Sequence, residues 1–209
     1  HWCHFYFGGG IFILEKKSDK IREFILLKAK QVFIRSGFAS VTMKDIIEEC
    51  GISRGGIYLY FTSVDEIFMQ VILSHDNLKL KDAQARVQEN KSFMQVIDDY
   101  FHKQKNRLLN MEGSLLMAMH EYRFSHKNEQ DKKFYYNQFL NTKIIILELL
   151  KYGVKQGDIS DKDIEKLAMH IMFFIEGIST MAITSILTEE IIDSQIDFVK
   201  NMIFDHKNM

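Results

Sequence analysis

The residues best suited to chemistry with another molecule lie between Thr42 and Phe61. Arg54 is followed directly by two glycines and, four residues on, by Tyr58. A guanidinium can donate hydrogen bonds to a guanine edge or a phosphate, and tyrosine and threonine hydroxyls can contact phosphate oxygens. Two adjacent glycines destabilise a short helix by about 1 kcal/mol each relative to alanine. Close approach of the helix backbone to a DNA duplex is one reason for keeping them.

The pattern around these residues predicts two short helices, at about residues 43–50 and 53–61. Only Gly51 and Ile52 separate them, so the helices cannot pack antiparallel and must cross at a steep angle. Such a crossing needs apolar side chains at fixed positions, which here carry Ile46, Cys50, Ile52, Ile57 and Tyr60. The segment therefore predicts a helix-turn-helix whose second helix presents its N-terminal residues to DNA bases.

The rest of the chain is also patterned for helices. It contains no proline and only 11 glycines. Apolar residues from Ile21 to Phe33 recur on one face of a helix at about residues 19–36. Residues that favour helix starts precede later segments at Ser63, Ser92, Ser160 and Thr188. Because no segment alternates as a strand does, the predicted fold is all-α with about nine helices.

Composition and charge divide the chain into three predicted parts. The 209 residues are 46% hydrophobic, which is enough for a sizeable core, and the net charge of −1 gives no global case for nucleic acid. Residues 15–64 contain nine basic and six acidic residues, so the positive excess lies with the helix-turn-helix. We expect an extension foreign to the fold at 1–14, a DNA-binding domain at 15–63 and a second helical domain at 64–209.

Other motifs support weaker hypotheses. His1, Cys3 and His4 could bind a metal ion, but such a cluster lacks a second half, so no metal or other cofactor is predicted. The apolar run 171–187 contains Glu176 and is short for a membrane span, so no membrane partner is expected. No nucleophile elbow, phosphate-binding loop or H-E-x-x-H motif occurs, which argues against an enzyme. Two cysteines indicate a reducing compartment, hence the cytoplasm. A helical adaptor that does not bind DNA stays as an alternative.

From Gly37 to Phe68 the chain resembles the N-terminal signature of the TetR family of transcriptional regulators. The shared features are the Gly-Phe pair after helix 1, the threonine that caps helix 2, the Gly-Ile-Ser turn, the Tyr-x-Tyr-Phe motif and a Ser-x-x-Glu helix start. The resemblance implies a homodimeric regulator, most often a repressor. It would leave a palindromic DNA operator when a small, largely apolar effector binds. Leu59, Thr62 and Val64 replace polar or basic residues that are frequent in the family, which predicts weaker affinity for DNA of any sequence.

Three sets of candidate site residues follow. The DNA-facing set is predicted as Thr42, Lys44, Ser53, Arg54, Gly55, Gly56, Tyr58, Leu59 and Tyr60. The resemblance implies that the last two helices pair with their copies in a second subunit, through Ile178, Ile186, Ile192, Ile196, Val199 and Ile203. Methionine, aromatic and a few polar side chains suit a wall for the effector. These candidates are Tyr100, Phe101, Met117, His120, Phe124, Tyr135, Phe139, His170, Phe173 and Phe174.

Overall fold

A computed structural model describes residues 8–89, 91–111, 114–184 and 186–205, with side chains from residue 18 onwards. These residues form nine α-helices and no β-strand, which confirms the all-α prediction. The helices are α1 (Gly8–Ser36), α2 (Met43–Cys50), α3 (Arg54–Tyr58), α4 (Val64–Gln88), α5 (Phe93–Leu109), α6 (Leu116–Ser125), α7 (Glu129–Gln156), α8 (Ile164–Ala182) and α9 (Glu189–Asp205).

Most helices begin at the capping residues that the sequence indicates. At the start of α2, the Thr42 hydroxyl accepts a hydrogen bond from the Asp45 N–H, and the Asp45 carboxylate accepts one from the Thr42 N–H. Ser92 and Gln95 form the same reciprocal pair at the start of α5, and the Thr188 hydroxyl caps α9. These bonds satisfy amide groups that otherwise lack a partner in the first turn of a helix.

α1 is longer and α3 is shorter than the sequence predicts. α1 begins at Gly8, before the predicted start at about residue 19. That residues 1–14 are an extension foreign to the fold stays a prediction. Residues 1–7 lie outside the described part of the chain. α3 ends at Tyr58, because the Tyr60 N–H donates to the Ile57 carbonyl at 2.9 Å in a tighter turn.

The start and end of α8 differ from the expectation. Its predicted Ser160 cap is wrong, since the Ser160 hydroxyl accepts from the Lys162 N–H in the preceding turn. Asp163 stands before the helix with φ 58° and makes no side-chain cap bond. The helix stops at Ala182, short of the predicted Leu187. No helix in the described part of the chain is long and apolar enough to span a membrane.

Two clusters of buried apolar side chains hold the helices together. One joins α1, α2, α3 and the first half of α4 with Ala118 and Tyr122 of α6 and Phe134 of α7. The other lies among α5, α7, α8 and α9. The core around the helix-turn-helix therefore continues beyond residue 63, along α4 to Ile72, and includes α6.

Candidate DNA-binding surface, outer apolar face and central cavity

The turn between α2 and α3 sets how these two helices cross. Gly51 takes the left-handed conformation, with φ 63°, and its N–H donates to the Ile47 carbonyl at the end of α2. The predicted core positions are buried at Ile46, Cys50 and Ile57 and half-buried at Ile52 and Tyr60. The spacing of apolar residues thus builds the helix-turn-helix that the sequence predicts.

α1 fixes both helices of the motif. The Arg22 guanidinium donates to the Tyr60 carbonyl at 3.3 Å and lies 4.5 Å from the centroid of the Phe61 ring. Arg35 makes an ion pair with Glu49 of α2 at 3.1 Å. Part of the positive charge counted for this region is therefore used within the domain and is not free for DNA.

The N-terminal half of α3 is exposed. The Arg54 guanidinium lies 5.7 Å from the centroid of the Tyr58 ring, and none of the described carboxylates is within ion-pair distance of it. Gly55 is exposed beside Arg54, and Leu59, 82% exposed, follows the helix. This surface therefore combines a free cation, an aromatic hydroxyl and an apolar tip.

The predicted DNA-facing residues at the start of each helix are exposed, but their polar groups already have partners. The Thr42 hydroxyl donates to the Asp45 carboxylate at 2.6 Å, and this contact holds the pKa of Asp45 below its ordinary value. Lys44 lies 3.6 Å from Glu48 on the same helix. The Ser53 hydroxyl caps α3. A DNA phosphate would compete with these local contacts or share them.

The two adjacent glycines have different environments. A Cβ atom built at Gly56 would lie 2.7 Å from Cγ2 of Ile52 and 3.2 Å from the Ser53 hydroxyl, so this glycine is needed for the capped turn itself. A Cβ atom built at Gly55 would meet nothing within 4 Å. Internal packing therefore explains why position 56 is a glycine. At position 55 no internal contact requires a glycine, so close approach of a DNA duplex is a reason for the glycine at this position alone.

We expect alanine to have opposite effects at these two positions. Gly56→Ala should lower the free energy of unfolding by about 1 to 3 kcal/mol, because its Cβ overlaps Ile52. Gly55→Ala should raise it, by up to about 1 kcal/mol, yet weaken DNA binding. Chemical denaturation and fluorescence anisotropy with duplex DNA measure the two effects. Unchanged DNA affinity of Gly55→Ala would show that the duplex does not approach this position.

The last two helices each have a buried and an exposed apolar face. Most of the predicted dimer residues lie on the buried face and pack against this chain's own core: Ile178, Ile192, Ile196, Val199 and Ile203. Their role in a dimer stays a prediction. Ile186 is exposed. The large exposed apolar side chains of α8 and α9 are Phe173, Met181, Ile191 and Phe198, which we call the outer apolar face. The strongest apolar stripe of each helix packs against the chain's own core. The periodicity of apolar residues in the sequence therefore identifies this core-facing stripe.

A central cavity of about 880 Å³ lies among α4, α5, α7 and α8, with further lining from α1 and α6. Its volume is in the range of small-molecule sites. Apolar side chains on its wall include Leu116, Met119, Phe139, Met172 and Ile175. The cavity is therefore large enough and apolar enough to hold an organic molecule.

Three of the ten predicted ligand-binding residues line this cavity, namely Tyr100, Tyr135 and Phe139. The other seven do not. Phe101 and His120 are buried, Phe174 packs against the C-terminal core, and Met117, Phe124, His170 and Phe173 are exposed on the outside. Only one face of each helix lines the cavity. The number of methionines and aromatic residues in a helix does not indicate which of its faces that is.

Sequence reasoning missed the charged residues of α4 and α5 that line the cavity, among them His75, Asp76, Lys79 and Arg107. Burial, and then the positive charges of Lys79, Lys30 and Arg107, lower the pKa of His75 to about 3, so the ring is neutral at pH 7. Burial also lowers the pKa of Lys79 and raises that of Asp76. The helical spacing of these residues was the available signal, but the same spacing is typical of a solvated face.

The metal hypothesis for the start of the chain concerns residues outside the described part. His1, Cys3 and His4 all lie within residues 1–7. Among the residues that the structure describes, no three His, Cys, Asp or Glu side chains are grouped to hold a metal ion. The expectation that the protein uses no metal stays a prediction.

α6 lies between the central cavity and the helix-turn-helix. Met119 and Arg123 of this helix line the cavity. Glu121 faces the other side, where its carboxylate accepts hydrogen bonds from the N–H groups of Phe38 and Ala39, at 2.5 and 2.8 Å. Phe38 and Ala39 belong to the turn between α1 and α2. One short helix thus contacts both candidate sites.

Comparisons with known proteins agree with this arrangement. The family model described as bacterial regulatory proteins, tetR family, matches residues 25–71. A second model, described as tetracyclin repressor-like, C-terminal domain, matches residues 96–191. The chain is 31% identical over 169 residues to the uncharacterized HTH-type transcriptional regulator YfiR of Bacillus subtilis (strain 168), covering 78% of each chain.

Solved structures with the same fold include reduced NemR of Escherichia coli, with a TM-score of 0.73 and 16% identity. That match covers 87% of this chain and 96% of the other. A regulator from Saccharomonospora viridis, solved in complex with choline, has a TM-score of 0.69 and 21% identity, and the match covers 88% of this chain and 96% of the other. At these identities the likeness to the two structures concerns the fold alone.

Proposed function

The chain belongs to the TetR family of bacterial transcriptional regulators, and we propose that it is a homodimeric repressor that leaves its operator when a small molecule occupies the central cavity. The observation that carries this proposal is the place of α6. Its Arg123 lines the cavity, while its Glu121 binds the turn that leads into α2. A change in the cavity thereby reaches the DNA-binding domain through one helix.

In this proposal α3 enters the major groove of the operator. Arg54 supplies the donor for a guanine edge, and Gly55 lets the backbone come close. Leu59 is placed for apolar contact, for instance with a thymine methyl group. Thr42, Lys44 and Tyr58 flank this surface as phosphate contacts. Specific binding therefore depends on few direct contacts from each subunit.

The partner on the outer apolar face is a second copy of this chain. TetR-family regulators act as dimers, and a two-fold axis brings the same surface of each subunit together. A Cβ atom built at Gly177, on this side of α8, would meet nothing within 4 Å, so another helix can approach closely. A two-fold dimer presents two copies of α3 to two inverted half-sites, which requires a palindromic operator.

Ligand binding reaches the operator through α6. Arg123 makes an ion pair with Glu176 of α8 at 3.0 Å, and both side chains line the cavity. A ligand in the cavity would therefore contact α6 directly. On the other side of α6, the Tyr122 ring packs against Phe38 with centroids 4.8 Å apart, next to the bonds of Glu121. A ligand that favours one position of α6 favours one spacing of the two recognition helices, and the wrong spacing lowers DNA affinity.

Glu121→Ala tests this coupling. The variant loses two charge-assisted hydrogen bonds to the α1–α2 turn, so we expect the DNA-binding domain to be less stable by about 1 to 3 kcal/mol. The amides of Phe38 and Ala39 should exchange with solvent faster, and operator affinity should fall because the motif is held less firmly. Hydrogen exchange and anisotropy measure these effects, with a duplex that the wild-type protein selects from a random-sequence library as the operator.

Glu129→Ala is the matched control. Glu129 is also a helical glutamate, but it is highly exposed, and among the described residues its carboxylate pairs only with Lys132 on its own helix. This variant should match the wild type in both measurements. If Glu121→Ala also matches the wild type in exchange and in operator affinity, the Glu121 contact does not couple the two sites.

A further inference from the structure

The lining of the central cavity is rich in positive charge. Its cationic side chains are Lys30, Lys79, Arg86, Lys103, Arg107 and Arg123. Its acidic side chains are only Asp76, Asp82 and Glu176. A wall with this imbalance attracts anions, the more so because a cavity screens charges less than bulk water does.

Each of the three carboxylates already has a cationic partner. The pairs are Asp76 with Lys79 at 3.3 Å, Glu176 with Arg123 at 3.0 Å, and Asp82 with Arg86 and Lys103 at 3.0 and 2.7 Å. These pairs use every acidic group of the lining. Arg86 also pairs with Asp99, outside the lining, at 2.9 Å. The lining cations without an ion-pair partner among the described residues are therefore Lys30 and Arg107.

Arg107 of α5 lines the cavity without an acidic partner among the described residues. One of its terminal nitrogens donates to the Ser179 hydroxyl at 3.0 Å. Its Nε atom is buried and has no hydrogen-bond partner among the described residues, and no described carboxylate lies within ion-pair distance of its guanidinium. An unpaired buried cation is unfavourable, and native proteins keep such groups for a reason. Binding of an anion is one such reason.

Tyr100 adds a second polar group to the same lining. Its hydroxyl makes no hydrogen bond to the described residues, and burial raises the pKa of Tyr100, so it stays a neutral donor. Tyr100 and Arg107 lie seven residues apart on α5, which places them on one face of the helix, and both line the cavity. Both groups donate, and a donor pair of this kind suits a carboxylate or phosphate oxygen.

We propose that the effector is an organic anion whose carboxylate or phosphate head is bound by Arg107 and Tyr100 and whose apolar body lies against Met119, Phe139 and Met172. This inference rests on the proposed role of the central cavity as the effector site. It replaces the expectation of a largely apolar effector with an amphipathic one. It also sets this cavity apart from a site for a cation such as choline.

Calorimetric titration with matched probes tests the proposal without DNA. Octanoate, decanoate and 4-phenylbutyrate are each compared with the corresponding primary amide and alkylammonium ion, and choline is included. We expect the carboxylates to bind about tenfold or more tightly than the amides, since a hydrogen bond to a charged group is stronger than one between neutral groups. The alkylammonium ions and choline should bind weakest. This preference should disappear in Arg107→Met.

A measurement without ligand separates a binding role of Arg107 from a structural one. Removing an uncompensated buried charge should raise the melting temperature of Arg107→Met above that of the wild type. Lys105→Met is the matched control on the same helix. Lys105 does not line the cavity and pairs with Glu189 and Asp193, so this variant should melt lower and keep the carboxylate preference.

Equal or tighter binding of the amides or ammonium ions would overturn the proposal. So would a carboxylate preference that persists in Arg107→Met. Should no probe bind, the melting temperature decides: a higher value for Arg107→Met retains the anion site, and a lower one assigns Arg107 to the fold and overturns it. Carboxylates that bind through Arg107 but leave operator affinity unchanged would support the anion site and count against the ligand-responsive function.

Discussion

Replacing Phe198 with glutamate is expected to separate the dimer into monomers and to raise its dissociation constant about 100-fold or more, as loss of a central aromatic contact does. Phe198 is 68% exposed in the single chain and lies on α9 in the outer apolar face. In the proposed dimer this ring is buried against the second copy. A glutamate there places a charge at an apolar interface without a partner. Sedimentation velocity at micromolar concentrations measures the change.

Phe198→Glu should also weaken operator binding, because a monomer contacts only one half-site. Phe124→Glu is the matched control, since Phe124 is also 68% exposed but lies on α6, away from the outer apolar face. The control should remain dimeric. A Phe198→Glu protein that sediments as a dimer and binds the operator like the wild type would show that the subunits meet elsewhere.

Arg54→Ala is expected to weaken operator binding by about 1 to 3 kcal/mol and to relax the choice of base at one position in each half-site. The side chain is exposed and contacts the Tyr58 ring, with no ion-pair partner among the described residues, so the variant should fold normally. Anisotropy with the operator and with duplexes changed at single positions measures both effects.

Lys44→Ala is the companion variant. Lys44 is exposed on α2 and is proposed to contact a phosphate. Its loss should therefore weaken binding to all duplexes alike and reduce the number of counterions released on binding by about one. If Arg54→Ala weakens every duplex equally and changes the salt dependence, Arg54 contacts phosphate. If it leaves affinity unchanged, α3 is not the recognition helix.

Local signals in the sequence are enough to predict the helix-turn-helix. Thr42 and Asp45 cap α2 through bonds within four residues of chain, and Gly51 ends α2 by its own backbone conformation. The apolar positions follow from the crossing of two helices joined by a two-residue turn. None of these features depends on residues far along the chain, so the prediction needed no knowledge of the C-terminal helices.

The outer apolar face and the cavity could not be found in the same way. The periodic Ile192, Ile196, Val199 and Ile203 form the strongest stripe of α9, and that stripe packs on the chain's own core. Phe198 stands outside it, and the sequence does not show that a partner exists to cover it.

The cavity depends on which side of each helix faces inward. Arg107 and Lys79 resemble solvated residues in the sequence, because a charged stripe on an amphipathic helix normally faces water. Only the packing of α4 and α5 against α7 and α8 turns these residues towards the cavity. The local spacing of residues in the sequence does not predict packing between helices that are far apart in the chain.

The most direct test of sequence-specific DNA binding is selection of duplexes from a random-sequence library by the purified protein at a stated salt concentration. We predict that successive rounds enrich one palindrome with two inverted half-sites, and that Arg54→Ala fails to enrich it. Wild-type protein that enriches no sequence over several rounds, while binding all duplexes equally and weakly, would contradict a repressor that recognises an operator through α3.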